Sequence, residues 1–108
     1  MNYKLKTIPS FDNELKHLSK KYPSLKKEYA DLLDLLEINP VAGIPLGRDC
    51  YKIRLAIKSK GRGKSGGGRV ITCVKLIKST VYLISIYEKG ELDNLSDAAL
   101  KEKLQEIK

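Results

Sequence analysis

In the first third of the chain, the hydrophobic positions recur first with the two-residue period of a strand and then with the longer spacing of a helix. The stretch YKLKTI alternates polar and apolar residues and predicts a short strand, which Pro9 and Ser10 end. Ser10 and Ser24 are placed to cap two successive helices, which Pro23 separates. The apolar residues recur at spacings of mostly three and four, namely Phe11, Leu15, Leu18 and Tyr22, then Leu25, Tyr29, Leu32, Leu33 and Leu36. Residues 11 to 38 are therefore predicted to form a helical hairpin.

The second half of the chain has the two-residue period that is typical of strands. In CYKIRLAIK, apolar residues alternate with Lys52, Arg54 and Lys58. In RVITCVKL, one face holds Val70, Thr72, Val74 and Leu76, and the other holds Arg69, Ile71, Cys73 and Lys75. The run TVYLISIY, residues 80 to 87, is apolar on both faces and predicts a strand inside a sheet. The segment LSDAALKEKLQEI predicts a last helix, which Ser96 caps.

These elements predict an α+β fold with the order β-α-α-β-β-β-α in a single domain, residues 1–108. We expect a small antiparallel sheet, with the N-terminal helical hairpin packed on one face and a C-terminal helix. The apolar faces of the strands then lie under the helices, and the cationic faces point outward. No apolar run approaches the roughly 20 residues that span a bilayer, and the N-terminus has no signal-peptide pattern. We therefore expect a cytoplasmic protein without a membrane partner, in which Cys50 and Cys73 are reduced.

Positive charge is concentrated in one part of the sequence. The formal net charge is +8, from 21 basic and 13 acidic residues. Within residues 48 to 69, only Asp49 opposes eight basic residues, which leaves +7 on this fifth of the chain: Arg48, Lys52, Arg54, Lys58, Lys60, Arg62, Lys64 and Arg69. A cationic segment with so few interspersed acids favours a polyanionic partner.

The glycine-rich stretch KSKGRGKSGGGR contains GRGKS, which is similar to the centre of a nucleotide-binding P-loop. A complete P-loop needs a glycine at position 58 and a helix after the loop. Position 58 is Lys58, and the segment that follows is a predicted strand, so the sequence argues against nucleotide hydrolysis. Residues 59 to 67 are instead predicted to form a long hairpin loop. This loop is expected to act as a mobile arm that contacts the phosphate backbone of a nucleic acid. Its candidate RNA contacts are Lys58, Lys60, Arg62 and Lys64.

Three segments carry a resemblance to a known family. DCYKIRL, GGRVITCV and VYLISIYEK resemble, in this order, the last three strands of the RelE/ParE superfamily of bacterial type II toxins, and the hairpin ending in NPVAGIPLGRD is similar to the region before them. The resemblance implies a cognate antitoxin protein as partner. In its RelE-like branch it implies a ribosome-dependent nuclease that cuts mRNA. ParE-like members of the same fold poison DNA gyrase, so the fold does not decide the activity.

The resemblance also implies a cationic catalytic site. Lys52 and Arg54 match two basic positions on one strand of the RelE-like nucleases, and Arg69 matches the arginine that opens the next strand. Lys89 falls where those enzymes have a further arginine, so the charge is kept without the planar fork. The family's C-terminal tyrosine has no match, and Tyr87 is the residue expected to supply a phenol from a neighbouring position.

RNA cleavage of this kind needs neither a metal nor a cofactor, because the ribose 2′-OH can attack the adjacent phosphate. The protein must stabilise the charge that gathers on the phosphoryl oxygens. Arg69 is the candidate for that task, with Lys52 or a neighbour as the base. Tyr87 is expected to stack on a base or to protonate the leaving oxygen.

Three hypotheses of different classes follow. The first is a toxin that cleaves mRNA on the ribosome. The second is a gyrase-inhibiting toxin, which would depend on a terminal helix surface and not on the cations of the sheet. The third is a nucleic-acid-binding module without chemistry, which would show strong salt dependence and leave its ligand intact.

Overall fold

The computed structural model describes residues 3–61, 63, 66–90 and 95–107. In chain order its elements are β1 (Lys4–Thr7), α1 (Pro9–Lys21), α2 (Leu25–Ile38), β2 (Ile44–Gly47), β3 (Cys50–Leu55), β4 (Gly68–Lys75), β5 (Thr80–Glu88) and α3 (Asp97–Leu104), with a 3-10 turn at Lys58–Lys60. The predicted α+β class is confirmed. None of the helices in these ranges combines the length and apolarity needed to cross a membrane.

Strand β2 is the element that the sequence pattern did not predict. Its four residues, IPLG, are all exposed, so they carry no alternation of buried and exposed positions. Pro45 lies inside it, and proline cannot donate a backbone hydrogen bond to a ladder. Such a strand is tolerated at the edge of a sheet, and β2 occupies that edge.

The five strands form one sheet in the order β1-β5-β4-β3-β2. β1 runs parallel to β5, and the other three neighbouring pairs are antiparallel. β5 and β4 are therefore interior strands. All nine residues of β5 are buried, as its apolar sequence predicted, and β4 is buried from Gly68 to Val74.

The helical hairpin packs its apolar stripe into the core, where Phe11, Leu18, Leu25, Leu32 and Leu36 are all buried. The predicted cap at Ser10 is wrong, because α1 begins at Pro9, two residues before the predicted start at Phe11. Pro9 takes the first helical position, which suits its fixed φ and missing N–H. Ser10 instead joins the two ends of the chain, since its backbone N and its Oγ donate to the Glu106 carboxylate at 2.9 and 2.7 Å.

The other two predicted caps have different outcomes. Ser96 caps α3 as predicted, and its Oγ accepts from the backbone N of Ala99 at 3.1 Å. Ser24 stands at the cap position of α2 but makes no cap bond with its side chain. Its hydroxyl donates to the buried Glu28 carboxylate at 3.0 Å and lies 2.8 Å from the Ser59 hydroxyl. Ser24 therefore fastens the start of α2 to the segment after β3.

Side chains from two helices cover the part of β5 that β1 does not reach. β1 pairs only with Thr80 to Leu83. Beyond that point, the backbone N of Ile86 donates to Glu14 Oε1 of α1 at 3.2 Å, and the Ile84 carbonyl accepts from Lys103 Nζ of α3 at 3.5 Å. Glu14 and Lys103 also form an ion pair of 3.0 Å. These contacts satisfy backbone groups of β5 that would otherwise form an open edge.

Gly67 is required where the chain enters β4. A Cβ there would lie 2.2 Å from the Leu55 carbonyl oxygen and 2.9 Å from the backbone N of Ile57. Both contacts are with backbone atoms, which cannot rotate away. The absence of a side chain therefore allows the two strands to approach closely at this point.

We expect Gly67→Ala to destabilise the protein by roughly 1–3 kcal/mol, because β4 must move away from β3 to make room. Gly63→Ala is the matched control, since no atom lies within 4 Å of a Cβ built at Gly63. In thermal unfolding followed by circular dichroism, Gly67→Ala should lower the Tm by about 5 °C or more, and Gly63→Ala should leave it nearly unchanged. Equal Tm values for the two variants would contradict this account of the strand entry.

Candidate functional site

Three of the predicted site residues lie in a row across the sheet. Arg54 of β3 is paired with Arg69 of β4, and Arg69 is paired with Tyr87 of β5. Directly opposed residues of antiparallel strands project from the same face, with Cβ atoms about 4.5–5.5 Å apart. Two guanidinium groups and one phenol therefore share one surface, which we call the Arg-Arg-Tyr row (Arg54, Arg69 and Tyr87). Lys52 lies on the same face, two residues before Arg54 along β3.

The members of the row differ in exposure. Arg54 is exposed and Lys52 is half-buried. Arg69 exposes 8% of its surface and Tyr87 exposes 6%. The prediction that the cationic faces of the strands point outward is therefore wrong for Arg69. The reason is that both faces of β4 are covered, along seven of its eight residues, whereas Arg54 on the neighbouring strand β3 stays exposed.

The pairing of Arg54 with Arg69 places like charges directly opposite each other. Arginine stays protonated at every physiological pH, so this repulsion cannot be relieved by losing a proton. One Nη of Arg69 donates to the carbonyl oxygen of Gly68 at 2.9 Å, which fixes the guanidinium near the backbone. Opposed cations destabilise a sheet, and an anion bound between them would relieve that cost.

Tyr87 presents a buried hydroxyl. Among the described residues, its Oη has no hydrogen-bond partner. Burial raises the pKa of Tyr87, and the nearby charge of Arg69 opposes that shift only in part. The phenol is therefore protonated at neutral pH and can donate. An unsatisfied buried hydroxyl costs about 1–3 kcal/mol, so a ligand oxygen that accepts from it would be stabilised there.

Glu88, the residue after Tyr87, is the centre of an ion-pair network that sequence reasoning missed. Its carboxylate accepts from Lys21 Nζ at 2.9 Å and from the Tyr22 hydroxyl at 2.8 Å, and it lies 3.4 Å from Lys60 Nζ. These contacts, led by the hydrogen bond from Lys21, lower the pKa of Glu88 to about 2. The partners come from α1 and from the segment after β3, so no local motif marks Glu88.

Lys60 closes the base of the glycine-rich loop. Besides Glu88, its Nζ reaches the carbonyl oxygens of Gly67 and Lys89 at 3.4 and 3.3 Å. The backbone N of Lys89 also donates to the Gly67 carbonyl at 2.9 Å. The stem of the predicted mobile arm is thus tied to the end of β5, and Lys60 already has protein acceptors for its charge.

The remaining predicted RNA contacts fall into two groups. Lys58 and Lys89 have exposed side chains, and the backbone N of Lys58 donates to Glu28 Oε2 at 2.7 Å. Arg62 and Lys64 lie outside the described residues. Contact of any of these cations with RNA stays a prediction. In the parts of the chain that the structure describes, no three His, Cys, Asp or Glu side chains are grouped to hold a metal ion.

An open groove of about 1330 Å³ runs between α1 and the second half of β5. Tyr87 and Lys89 line it from the strand side, and Lys20 and Lys21 line it from α1. The groove thus brings cations of α1 to the Tyr87 end of the Arg-Arg-Tyr row. Sequence reasoning missed this contribution, because the lysines of α1 are spread along an ordinary polar helix face.

The Glu88 network predicts a specific response of stability to pH. Because the pKa of Glu88 is lower in the folded protein than its usual value of 4.5, the network stabilises the fold above pH 4.5 and loses this effect as the pH falls toward 2. We expect Glu88→Gln to remove the loss of stability that protonation of Glu88 causes as the pH falls below 4.5. In melts between pH 7 and pH 2.5, the Tm gap between wild type and Glu88→Gln should narrow below about pH 4.5. A gap that stays constant across this range would contradict the lowered pKa.

No protein-family model matches the chain. Solved structures do. A mutant of the E. coli toxin RelE in the free state matches with a TM-score of 0.67 and 22% identity over 100% of both chains. The isolated E. coli RelE toxin matches with a TM-score of 0.50 and 25% identity over 95% of this chain and 97% of that one. A chain of the toxin-antitoxin complex RelBE2 from Mycobacterium tuberculosis matches with a TM-score of 0.58 and 16% identity over 82% of this chain and 93% of that one. The chain therefore has the fold of the RelE toxins.

Proposed function

We propose that this protein is the toxin of a type II toxin-antitoxin module and that it cleaves mRNA on the ribosome. The observation that carries the proposal is the Arg-Arg-Tyr row, in which two cations and one protonated phenol share a face of the sheet. Charge stabilisation and proton donation are the two contributions that RNA cleavage by an internal hydroxyl requires from a protein.

In the proposed reaction, the ribose 2′-OH attacks the adjacent phosphorus and the bond to the leaving 5′ oxygen breaks. Lys52, which lies two residues before Arg54 on β3, takes the proton of the attacking hydroxyl when its side chain is the neutral amine, and it becomes an ammonium in this step. Arg69 holds two phosphoryl oxygens with its planar fork, which suits the charge that develops there. Tyr87 gives its proton to the leaving oxygen, because its hydroxyl is protonated and has no acceptor among the described residues. Lys89 and the α1 lysines of the groove hold neighbouring phosphates.

The burial of the row supports dependence on the ribosome. With 8% of Arg69 and 6% of Tyr87 exposed, a phosphate reaches them only after the groups that cover them have moved. Binding energy from a large partner is a common source for such a rearrangement. We therefore expect weak cleavage of free RNA and efficient cleavage of a message held in a ribosome. This activity places the protein in the cytoplasm.

A cognate antitoxin is the second partner in the proposal. The related RelBE2 structure is a toxin-antitoxin complex. In this chain, the sequence from residue 48 to residue 69 carries a formal charge of +7, which an acidic polypeptide would neutralise. An antitoxin bound there would compete with RNA for the same cations.

The test is primer extension on a translated mRNA in a cell-free system, with purified wild-type protein and three variants. Arg69→Ala should lower the cleavage rate by roughly 100-fold or more, because a fixed charge at the phosphate is lost. Arg69→Lys should cleave at a rate between those of wild type and Arg69→Ala, since lysine keeps the positive charge and lacks the planar fork of arginine. Lys75→Ala is the matched control, because Lys75 is an exposed cation on the same strand and outside the row. It should cut like wild type.

Folding of each variant is checked by its Tm before activity is compared, because Arg69 is buried. Intact message from a folded wild-type protein that still arrests growth would contradict the proposal. In that event, inhibition of DNA supercoiling by gyrase is the next assay. Binding of message without any cut product would favour a nucleic-acid-binding module.

A further inference from the structure

Both cysteines of the chain occupy directly opposed positions of β3 and β4. Cys50 pairs with Cys73 in the strand register, and both are free and fully buried. The next rung beyond them is a hydrogen bond of 2.9 Å from the Val74 N to the Asp49 carbonyl, which makes the cysteines a non-hydrogen-bonded pair. Such pairs have Cα atoms about 4.5 Å apart, which lies inside the range of about 4.4–6.8 Å found in disulfides.

The two thiols also meet each other on one side of the sheet. Each donates to the same acceptor, the Arg48 carbonyl oxygen, at 3.5 Å from Cys50 Sγ and 3.9 Å from Cys73 Sγ. Once Cys73 ionises, the Cys50 thiol can donate to its sulfur in place of the Arg48 carbonyl, and this hydrogen bond lowers the pKa of Cys73 and raises the pKa of Cys50. A thiolate on Cys73 beside a thiol on Cys50 is the arrangement in which one sulfur attacks and the other resolves.

We propose that Cys50 and Cys73 form a redox modification site, which closes to an intrachain disulfide when the protein meets a peroxide and reopens with a dithiol. This proposal does not depend on the proposed nuclease activity. Cytoplasmic disulfides, where they occur, are usually transient and redox-sensing, and a pair held in contact in the reduced fold suits that use.

The chemistry balances with hydrogen peroxide as the oxidant. The Cys73 thiolate attacks one peroxide oxygen, the O–O bond breaks, and hydroxide leaves to take a proton and become water. Cys73 is then a sulfenic acid. The Cys50 sulfur attacks the Cys73 sulfur, the S–O bond breaks, and a second water leaves with the thiol proton. Two electrons pass from the two sulfurs to the peroxide, and a dithiol such as dithiothreitol returns them.

The hairpin between β2 and β3 offers the route by which a small oxidant reaches the buried pair. β2 is an edge strand with all four residues exposed and an irregular register against β3. The turn residues Arg48 and Asp49 both have a left-handed backbone conformation, with φ of 55° and 61°, which is unfavourable for residues other than glycine. Segments with few buried contacts and a strained turn open most readily. Opening this turn moves the Arg48 carbonyl away from both sulfurs.

The disulfide would cross-link β3 and β4, the two strands that carry the cations of the candidate site. Cys50 precedes Lys52 by two residues on one strand, and Cys73 follows Arg69 by four on the other. The closed loop contains the whole glycine-rich segment. The oxidised protein should therefore be harder to unfold, because the cross-link restricts the unfolded chain.

The experiment treats the reduced, folded protein with a small excess of hydrogen peroxide, then unfolds it in denaturant with iodoacetamide and measures the intact mass. We expect a monomer lighter by two hydrogen atoms, without alkylated thiols, and a Tm raised by roughly 10 °C. Dithiothreitol should restore two alkylatable thiols and the original Tm.

Two variants assign the roles within the pair. Cys50→Ser should leave Cys73 as a sulfenic acid, which a dimedone probe captures, and Cys73→Ser should give several-fold less captured product. Two alkylated thiols in peroxide-treated wild type would overturn the proposal. So would oxygen addition without loss of hydrogen, or a disulfide that joins two chains on a non-reducing gel.

Discussion

The register of β3 against β4, and of β4 against β5, is the constraint on which the candidate site depends. One rung of that ladder holds Arg54, Arg69 and Tyr87 together. A slip of one residue would move Arg69 to the opposite face from its two neighbours. The close approach that Gly67 allows holds this register where the chain enters β4.

Electrostatic costs are gathered on the same few strands. The opposed arginines repel each other, and the Tyr87 hydroxyl is buried without a partner among the described residues. Costs of this kind persist in folded proteins chiefly at functional sites, where a ligand relieves them. The neighbouring Glu88 network has the opposite character. Its carboxylate is saturated by Lys21, Tyr22 and Lys60, and it holds the loop stem against the end of β5. The ion-pair network of Glu88 thus lies next to a hydroxyl, that of Tyr87, which has no partner among the described residues.

The sequence predicts the parts of this arrangement that follow from local periodicity. The helical hairpin, the apolar strand at residues 80 to 87 and the cap at Ser96 all have local signals, and the structure contains them. The pairing of Arg54 with Arg69 could be approached only through the family resemblance, because alternation sets the face of a strand and not its register. β2 was missed because Pro45 and four exposed residues leave no alternation to detect.

Contacts between distant parts of the chain were beyond sequence reasoning. Glu88 accepts hydrogen bonds from residues that lie 66 and 67 positions earlier in the chain, and no local sequence pattern predicts these contacts. The burial of Arg69 was missed for a related reason. A cation in a strand is expected on an outward face, and this expectation fails for Arg69 because both faces of β4 are buried from Gly68 to Val74.

The most direct test of the central claim compares wild type with Tyr87→Phe, for both the rate of message cleavage on the ribosome and the Tm. Removal of an unsatisfied buried hydroxyl should leave the Tm unchanged or raise it. Loss of the proton donor should lower cleavage by roughly 100-fold. That separation of activity from stability would assign Tyr87 to the reaction. Cleavage at the wild-type rate by a stable Tyr87→Phe protein would contradict the Arg-Arg-Tyr row as the catalytic site.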